Sequence, residues 1–358
     1  MDKIFTYEQL YNFTNAIFIK IGCNENDAAL ASKTLLSADL RGVDSHGVAR
    51  LSGYVRLWQA DRVHTKPLLK IIHQTPSTAV VDGDAGLGLV VAPFAMQVAI
   101  DKAKNVGTGW VSVQNSNHFG IAGIHAMMAL EQDMIGIAMT NASALVAPTF
   151  SKDKMLGTNP IAVAIPAGVH SPFVADFATT TAANGKLEML QRKNEHLPTG
   201  WVQNGEGMQS INAHELKDGG ALLPLGSTRE GSSHKGYMLG SIVDVFSGVL
   251  SGANFGPWVP PFPAYIPMPT NMPGKGIGHF FGAMRIDAFR PAADFKNDMD
   301  KWINAFKNAA PINATQPVII PGEPELAFEK YRAANGIPIL QNVIDDLQLL
   351  GKQFDVIF

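Results

Sequence analysis

Apolar residues recur at every third or fourth position near the start of the chain, from Leu10 to Ile21. This spacing places them on one face of a helix. Thr6 and Gln9 form a capping-box signature before the run, and Gly22 follows it. The pattern therefore predicts a helix between these signals. By the same criteria, further helices are predicted over residues 24–40 and 48–59.

The pattern changes to short β-branched runs from residue 76 onwards. Each run is bounded by Gly, Pro, Asn or Asp: TAVVDG, GWVSVQ, MIGIAMT, PIAVAIP, FVADFA and HFFGAMRI. Helical stretches lie between several of them, which indicates an α/β fold. A long helix is predicted near Ser232, followed by a Pro-rich and aromatic segment over residues 258–273 that is typical of an ordered loop or lid. We expect residues 1–75 and 290–358 to form one helical module, and residues 76–289 to form the α/β domain.

Composition excludes several function classes. The chain has 358 residues, 46% of them hydrophobic and 16% charged, and a net charge of -3. It therefore lacks the basic field that nucleic acid or an anionic membrane would require. The single cysteine, Cys23, cannot form an internal disulfide, which fits a reducing compartment. Asp2 and Glu8 interrupt any apolar leader, and no apolar span reaches about 18 residues. We expect a soluble, cytoplasmic protein without nucleic acid or membrane partners.

The stretch VVDGDAGLGLVV has the strand, turn and helix order of dinucleotide-binding folds. Its spacing, Gly83, Gly86 and Gly88, differs from the G-x-G-x-x-G fingerprint. Asp82 and Asp84 would also repel a pyrophosphate. A tight structural turn is therefore the favoured interpretation, and a phosphate cradle is the alternative.

The stretch RGVDSHGVAR places Ser45 and His46 between Arg41 and Arg50. One interpretation is a polar helix junction. The other is a substrate site in which a guanidinium holds a small anion while an imidazole transfers a proton. His118 is a second candidate, because NSNHFG follows an apolar strand at a point where α/β proteins place ligands. No spacing of His, Cys or carboxylates suggests a metal, so no metal site is expected.

The stretch SSHKGYMLG places Lys235 in the first turn of a helix if Ser232 or Ser233 caps it. The helix dipole disfavours a cation there, and a bound anion would remove the conflict. A solvated lysine is one alternative. A Schiff-base lysine for pyridoxal phosphate is another, although neither the acidic partner nor the phosphate site that it requires is identifiable.

Seven motifs together resemble the malate/L-lactate dehydrogenase family of the non-Rossmann type. They occur in this order along nearly the whole chain: RGVDSHGVAR, NSNHFG, TNASALVAP, GTNPIAVAIPA, VADFATT, SSHKGYMLG and IIPGEPE. The family also includes ureidoglycolate dehydrogenase, diketogulonate reductase, sulfolactate dehydrogenase and piperideine-carboxylate reductase. The resemblance implies a homodimer that uses NAD or NADP. It also implies a non-Rossmann α/β fold, with a cofactor-binding sheet domain flanked by helices from both chain ends.

The resemblance also implies roles for individual residues. Ser45, His46, Arg50 and Tyr54 would hold the substrate, and His118 would lie beside the nicotinamide. The implied cofactor contacts are Thr140, Asn141, Thr158, Asn159, Asp176, Phe177, Ala178, His234, Lys235, Gly322, Glu323 and Pro324. The segment VAPTFSKDKMLGTNP departs from the family's usual Trp-Gly-Gly stretch, and the Pro-rich segment is longer and more aromatic than in simpler members. A substrate therefore cannot be copied from one relative.

The reaction implied is interconversion of a small 2-hydroxy acid and its 2-keto acid. Arg50 would bind the carboxylate. His46 is favoured as the proton donor, with His118 as the alternative or as a relay partner. Malate with oxaloacetate is the first expectation and lactate with pyruvate the second, while a cyclic imino acid or keto-sugar acid is the alternative. A dinucleotide-binding protein without catalysis is the alternative class.

Overall fold

A computed structural model of the chain describes residues 3–192, 194–313 and 315–358. The helices are α1 Tyr7–Lys20, α2 Glu25–Leu40, α3 Leu51–Gln59, α4 Gly88–Val106, α5 Ala122–Met127, α6 Asn184–Arg192, α7 Ser233–Asp244, α8 Ala292–Lys307, α9 Glu323–Asn335 and α10 Gln341–Phe354. The strands are β1 Lys3–Phe5, β2 Lys70–Gln74, β3 Thr78–Asp82, β4 Thr108–Ser116, β5 Met134–Thr140, β6 Ile161–Ile165, β7 Phe173–Phe177, β8 Val202–Gln203, β9 Gln209–Ser210, β10 Ala221–Leu222, β11 Ile277–Arg285 and β12 Ile337–Ile339.

The main sheet has seven strands in the order β2-β3-β4-β11-β5-β6-β7. Within it β3 and β4 pair in parallel, and the other neighbours are antiparallel. All six strands predicted from β-branched runs are present, and β2 is an additional edge strand. The last of the predicted strands along the chain, β11, lies in the middle of the sheet. The sheet with its packed helices confirms the α/β expectation.

Glycines let two helices pack closely on this sheet. A Cβ on Gly109 of β4 would lie 1.9 Å from the carbonyl oxygen of Ala99 in α4. A Cβ on Gly136 of β5 would lie equally close, at 1.9 Å, to the carbonyl oxygen of Ala126 in α5. Atoms cannot overlap to this extent, so larger residues would force each helix away from the sheet. This close packing fixes the positions of α4 and α5 on the sheet.

A second core joins the two ends of the chain. Thr6 caps α1 as predicted, since its hydroxyl oxygen accepts the Gln9 N–H at 3.1 Å. Buried apolar residues of α1, α2, α3 and α10 form one cluster, and β1 pairs with β12. Helical segments from both ends thus pack together, as expected. The division of the chain at residues 75 and 290 stays a prediction.

A smaller unit and a long loop complete the described part of the chain. The strands β8, β9 and β10 form a three-stranded sheet beside α6, which the sequence pattern did not predict. Helix α7 continues into a π-helical turn, Val245–Val249. Residues 259–276 then contain neither helix nor strand, which confirms the loop prediction for the Pro-rich segment. Among the described residues, every helix is too short or too polar to cross a bilayer.

Candidate active site

The loop that carries His118 packs against the glycine turn after β3. Because β3 and β4 are parallel, the loops that follow them meet at the same edge of the sheet. A Cβ on Gly88 would lie 2.1 Å from the carbonyl oxygen of Asn117 and 2.4 Å from that of His118. The backbone N–H of Gly83 donates to the Gln114 oxygen at 2.9 Å. Protein atoms fill the space around this turn, in agreement with the structural interpretation rather than a phosphate cradle.

The proton on His118 can be placed from its neighbours. The Gly120 backbone N–H donates to Nδ1 of His118 at 3.3 Å, and the Tyr54 hydroxyl lies 2.7 Å from the same nitrogen. A nitrogen that accepts from an N–H carries no proton, so the neutral ring has its proton on Nε2. Burial lowers the pKa of His118 well below its ordinary value, and the charges of His46 and Arg50 lower it further. The ring is therefore a neutral Nε2–H donor in the free protein.

His46 lies directly beside His118. The two imidazole rings are stacked with centroids 5.7 Å apart and planes 23° from parallel. The Ser45 hydroxyl oxygen lies 2.9 Å from Nδ1 of His46, which orients the ring. Burial, and after it the charge of Arg50, lowers the pKa of His46 to about 4. Two segments far apart in the sequence thus bring two uncharged imidazoles together.

Arg50 presents most of its guanidinium to this site. Its Nε donates to the Ser45 carbonyl oxygen at 2.6 Å. No residue in the described part of the chain forms a hydrogen bond or ion pair with its two terminal nitrogens. A planar fork with free N–H groups is suited to the two oxygens of a carboxylate. The structure therefore brings together Ser45, His46, Arg50, Tyr54 and His118, as the sequence motifs predict.

A buried carboxyl behind this site fixes the turn before Arg50. Oδ2 of Asp39 accepts the Val48 N–H at 2.7 Å. A Cβ on Gly47 would lie 2.1 Å from Oδ1 of Asp39, so glycine is required there for the close approach. Burial raises the pKa of Asp39 to about 8. Sequence analysis missed Asp39, because a single acid on a helix resembles any surface residue.

A buried histidine links two of the strands that border the site. Nδ1 of His279 lies 2.7 Å from the Thr140 hydroxyl, and its Nε2 lies 2.8 Å from the Ser116 hydroxyl. The side chain of His279 is fully buried, which lowers its pKa to about 3. His279 therefore stays neutral and joins the ends of β4 and β5. Its position within an apolar strand gave no sign of this role.

The predicted nicotinamide-pocket residues form backbone contacts. Oδ1 of Asn141 accepts the Gly278 N–H at 3.0 Å, and Oδ1 of Asn159 accepts the Ala142 N–H at 3.0 Å. The carbonyl oxygen of Thr158 accepts the Thr179 N–H at 2.9 Å. These bonds hold the loops after β5 and before β6 together. The two asparagine side chains are buried.

The side chain of Asp176 is exposed, and its carboxylate accepts a backbone hydrogen bond. Its Oδ2 accepts the Gly123 N–H at 2.7 Å, near the start of α5. Burial raises the pKa of Asp176 to about 6, yet the side chain keeps accessible surface. Phe177 is 40% exposed and Ala178 is partly exposed, so the VADFA strand end lines open space.

His234 and Lys235 occupy the first turn of α7, as predicted. Ser232 is the N-cap residue, which is one of the two positions considered, but it has a left-handed φ of 73° and no side-chain hydrogen bond caps the helix. The hydroxyl of Ser233 instead lies 2.9 Å from that of Thr149. A cavity of about 480 Å³ adjoins this helix start, with Lys152, Arg229 and Ser233 among its lining residues.

The PGEPE turn is bonded to β7, the edge strand opposite β2 in the main sheet. The Val174 N–H of β7 donates to the Pro321 oxygen at 3.0 Å, and Gly322 has a left-handed φ of 96°. Glu323 forms an ion pair with Lys307, so its carboxylate is engaged within the chain. Pro324 lies at the start of α9. In the described chain, no hydrogen bond or ring contact joins this turn, His234 or Lys235 to either imidazole of the site.

Comparisons with known proteins agree with this geometry. The family model described as malate/L-lactate dehydrogenase matches residues 5–348. The chain belongs to this family. It is 41% identical to a malate dehydrogenase of Pyrococcus abyssi over 98% of the chain and 94% of the relative. It is 36% identical to an L-sulfolactate dehydrogenase of Methanocaldococcus jannaschii, over 92% and 91% of the two chains.

The fold agrees as well. A malate dehydrogenase structure from Entamoeba histolytica superimposes with a TM-score of 0.92 at 31% identity, covering 100% of this chain and 99% of that one. As a member of the malate/L-lactate dehydrogenase family, the protein is a dehydrogenase that acts on the CH–OH group of hydroxy acids and uses a nicotinamide cofactor. This membership favours a dehydrogenase over the pyridoxal phosphate and binding-only alternatives.

Proposed function

We propose that the protein interconverts malate and oxaloacetate. One observation carries the proposal: the free guanidinium nitrogens of Arg50 lie beside two stacked, neutral imidazoles. This arrangement suits an acid whose carboxylate neighbours the carbon that reacts. The name of the Pyrococcus abyssi relative favours malate among such acids. Lactate with pyruvate is the second candidate, and a cyclic imino acid or keto-sugar acid remains the alternative.

In this proposal Arg50 binds the substrate, and the two histidines act on the oxygen at C2. Arg50 binds the C1 carboxylate through its terminal nitrogens. The neutral His118 donates its Nε2–H to the oxygen on C2, and Tyr54 holds the ring in that tautomer. His46 accepts the C2 hydroxyl proton during oxidation and returns it during reduction. When bound, the nicotinamide would supply the hydride-transfer chemistry at C2.

The proton role goes to His46 because of the electrostatic surroundings. The pKa of His46 is about 4 in the free protein, and the charge of Arg50 is one of its causes. A bound carboxylate neutralises that charge, so substrate binding raises the pKa towards neutrality. The pKa of His118 is lowered by more neighbours, including His46 itself. His46 is thus the better proton acceptor of the two.

We also propose that NAD or NADP binds along the edge of the sheet, between the strand end of Asp176 and the start of α7. The chemistry of the groups at α7 fits the cofactor's phosphates. The helix has no side-chain cap, and Lys235 lies in its first turn. Lys152 and Arg229 line the adjoining cavity together with Glu206 and Glu230, so the positive charge offered to a phosphate is that of Lys235 at the helix start. The remaining residues implied by the resemblance would contact the cofactor from the VADFA strand end and the PGEPE turn.

We further propose that the protein is a homodimer. Four apolar residues project from one face of α7 and the turn after it, with a spacing of three or four residues: Met238, Ile242, Val245 and Val249. Each is about half exposed in the single chain. A second copy of the chain would cover this face, which is hereafter called the α7 face.

Steady-state kinetics test the proposed function. The wild type should oxidise malate and reduce oxaloacetate, followed by absorbance of the reduced nicotinamide with each dinucleotide. His46→Ala should lose at least about a hundredfold in kcat, while binding of the reduced dinucleotide, measured by fluorescence, should persist. If His118→Ala loses turnover and His46→Ala keeps it, the proton role belongs to His118. Faster turnover of pyruvate or of a cyclic imino acid would replace malate as the substrate.

A further inference from the structure

The Pro-rich segment places one aromatic ring against the candidate active site. The ring of Phe262 lies 4.7 Å from that of His118 and 5.2 Å from that of Tyr54, between centroids. Cζ of Arg50 lies 5.9 Å from the centre of the same ring. A substrate that reaches from Arg50 to His118 must therefore lie along Phe262.

The neighbouring helix α3 has a glycine at the point where the Phe262 ring packs. A Cβ on Gly53 of α3 would lie 2.7 Å from both Cε1 and Cζ of Phe262. Alanine is favoured over glycine in a helix by about 1 kcal/mol, so the glycine has a packing function here. Its missing side chain leaves the room that the ring occupies.

A partly buried arginine anchors the segment just before the ring. Nη2 of Arg62 donates to the carbonyl oxygen of Pro261. The backbone oxygen of Arg62 in turn accepts a hydrogen bond from Nδ2 of Asn117, at 3.3 Å. The segment is thus tied to the loop that carries His118. Phe262 is consequently held against the site rather than attached to a free loop.

We infer that Phe262 determines substrate size, as the apolar wall beside C2 and C3 of the bound acid. The ring fills the volume that a bulky substituent on C3 would need, so the pocket takes short 2-hydroxy and 2-keto acids. This inference rests on the proposed function. It adds a residue from the Pro-rich segment, one of the two segments in which the chain departs from simpler members of its family.

The test compares keto acids of increasing size. Wild type, Phe262→Ala and the milder Phe262→Leu are assayed with oxaloacetate, pyruvate, 2-oxobutyrate and phenylpyruvate. In Phe262→Ala the ratio of kcat/KM for phenylpyruvate to that for oxaloacetate should rise at least about tenfold, the range that hydrophobic pockets discriminate. Phe262→Leu should shift the ratio in the same direction by less, and it keeps the inference testable if the alanine variant does not fold.

A second pair of variants tests the contact itself. Gly53→Ala displaces the ring without removing it, and should change the same kcat/KM ratio in an otherwise wild-type chain. In the Phe262→Ala background the added methyl group meets no ring, so Gly53→Ala should then have an effect smaller than about twofold. Tyr265→Ala is the matched control, because Tyr265 lies on the same segment and is 83% exposed.

The outcomes separate the two proposals. An unchanged ratio in Phe262→Ala, or an equal loss with every keto acid, overturns the inference and leaves the proposed function intact. Equal loss would mean that the ring only positions Arg50 and His118. If the wild type reduces none of the keto acids, the proposed function fails first and the inference fails with it.

Discussion

The imidazole of His46 lies 5.7 Å from that of His118, between centroids, and both rings lie within the influence of the Arg50 guanidinium. Three groups that can each carry a positive charge thus occupy one partly buried site. Because burial, and after it the repulsion between nearby positive charges, lowers the pKa of both imidazoles, only the arginine is charged in the free protein. The site is therefore prepared for one anion, and the charge state of its histidines depends on that anion.

The first prediction concerns this dependence. Arg50→Gln removes a charge that lowers the pKa of His46, so the pKa should rise above the wild-type value of about 4. The measurement is an NMR titration of the histidine ring signals in the ligand-free protein. Arg56→Gln, in the helix that follows Arg50, is the control and should leave the midpoint where it is. A midpoint that Arg50→Gln does not move would show that burial alone sets the pKa.

The same value predicts a pH profile. Oxidation of the hydroxy acid requires an unprotonated base, so kcat/KM for malate should stay constant on the acid side of neutrality and fall only near pH 4. Arg50→Gln should bring this fall to a higher pH while lowering kcat/KM overall. A wild-type profile that already falls near pH 6.5 would contradict the assignment of His46 as the base.

The second prediction concerns the buried carboxyl of Asp39. Burial raises its pKa from the ordinary 3.8 to about 8, so the folded protein holds this proton more tightly than the unfolded chain does. The group therefore contributes most stability below about pH 4, and this contribution is lost as the pH rises through about 8. Asp39→Asn has no proton to lose and keeps an oxygen for the Val48 N–H.

Denaturant unfolding at pH 5 and pH 8 measures this difference. Relative to Asp39→Asn, the wild type should lose at least about 1 kcal/mol of unfolding free energy between the two pH values. Asp101→Asn, on the exposed side of α4, serves as the control and should unfold in parallel with the wild type. Parallel behaviour of Asp39→Asn would mean that Asp39 is ionised in the folded protein.

The third prediction concerns assembly. Ile242→Lys places a charge in the middle of the α7 face, where burial against a second chain would leave it without a partner. The variant should sediment as a monomer of 38.4 kDa at concentrations where the wild type is dimeric. Val169→Lys changes an equally apolar residue, which is 90% exposed on a loop, and should remain dimeric. A monomeric wild type would contradict the homodimer, and a dimeric Ile242→Lys would exclude the α7 face as its interface.

The sequence was sufficient for the parts of the site that are local in the chain. RGVDSHGVAR and NSNHFG each contain their candidate functional residues within a few positions, and polar residues at element ends are a visible signal. The β-branched runs likewise predicted the main strands, because strand propensity and boundary residues are local properties. The serine cap of α7 failed because a left-handed backbone at Ser232 replaces it, and no residue type announces that conformation.

The remaining parts depend on contacts between distant segments. Phe262 is one of several aromatic residues in a Pro-rich loop, and only its packing on Gly53 distinguishes it. His279 resembles any residue of an apolar strand until Ser116 and Thr140 are placed on either side of it. Short two-residue strands such as β8 and β9 carry too few residues for a periodicity to be visible.

The close fit of Gly88 to the carbonyl oxygens of Asn117 and His118 has a consequence for enzyme engineering. Any side chain at position 88 would displace the loop that carries His118. Randomising this turn would therefore mostly yield inactive clones. The opposite wall of the pocket comes from a loop without helix or strand, which tolerates exchange far better. Directed evolution towards new hydroxy acids should therefore keep residues 83–88 constant and diversify residues 259–273, because Gly274 and Gly276 also pack closely against backbone oxygens.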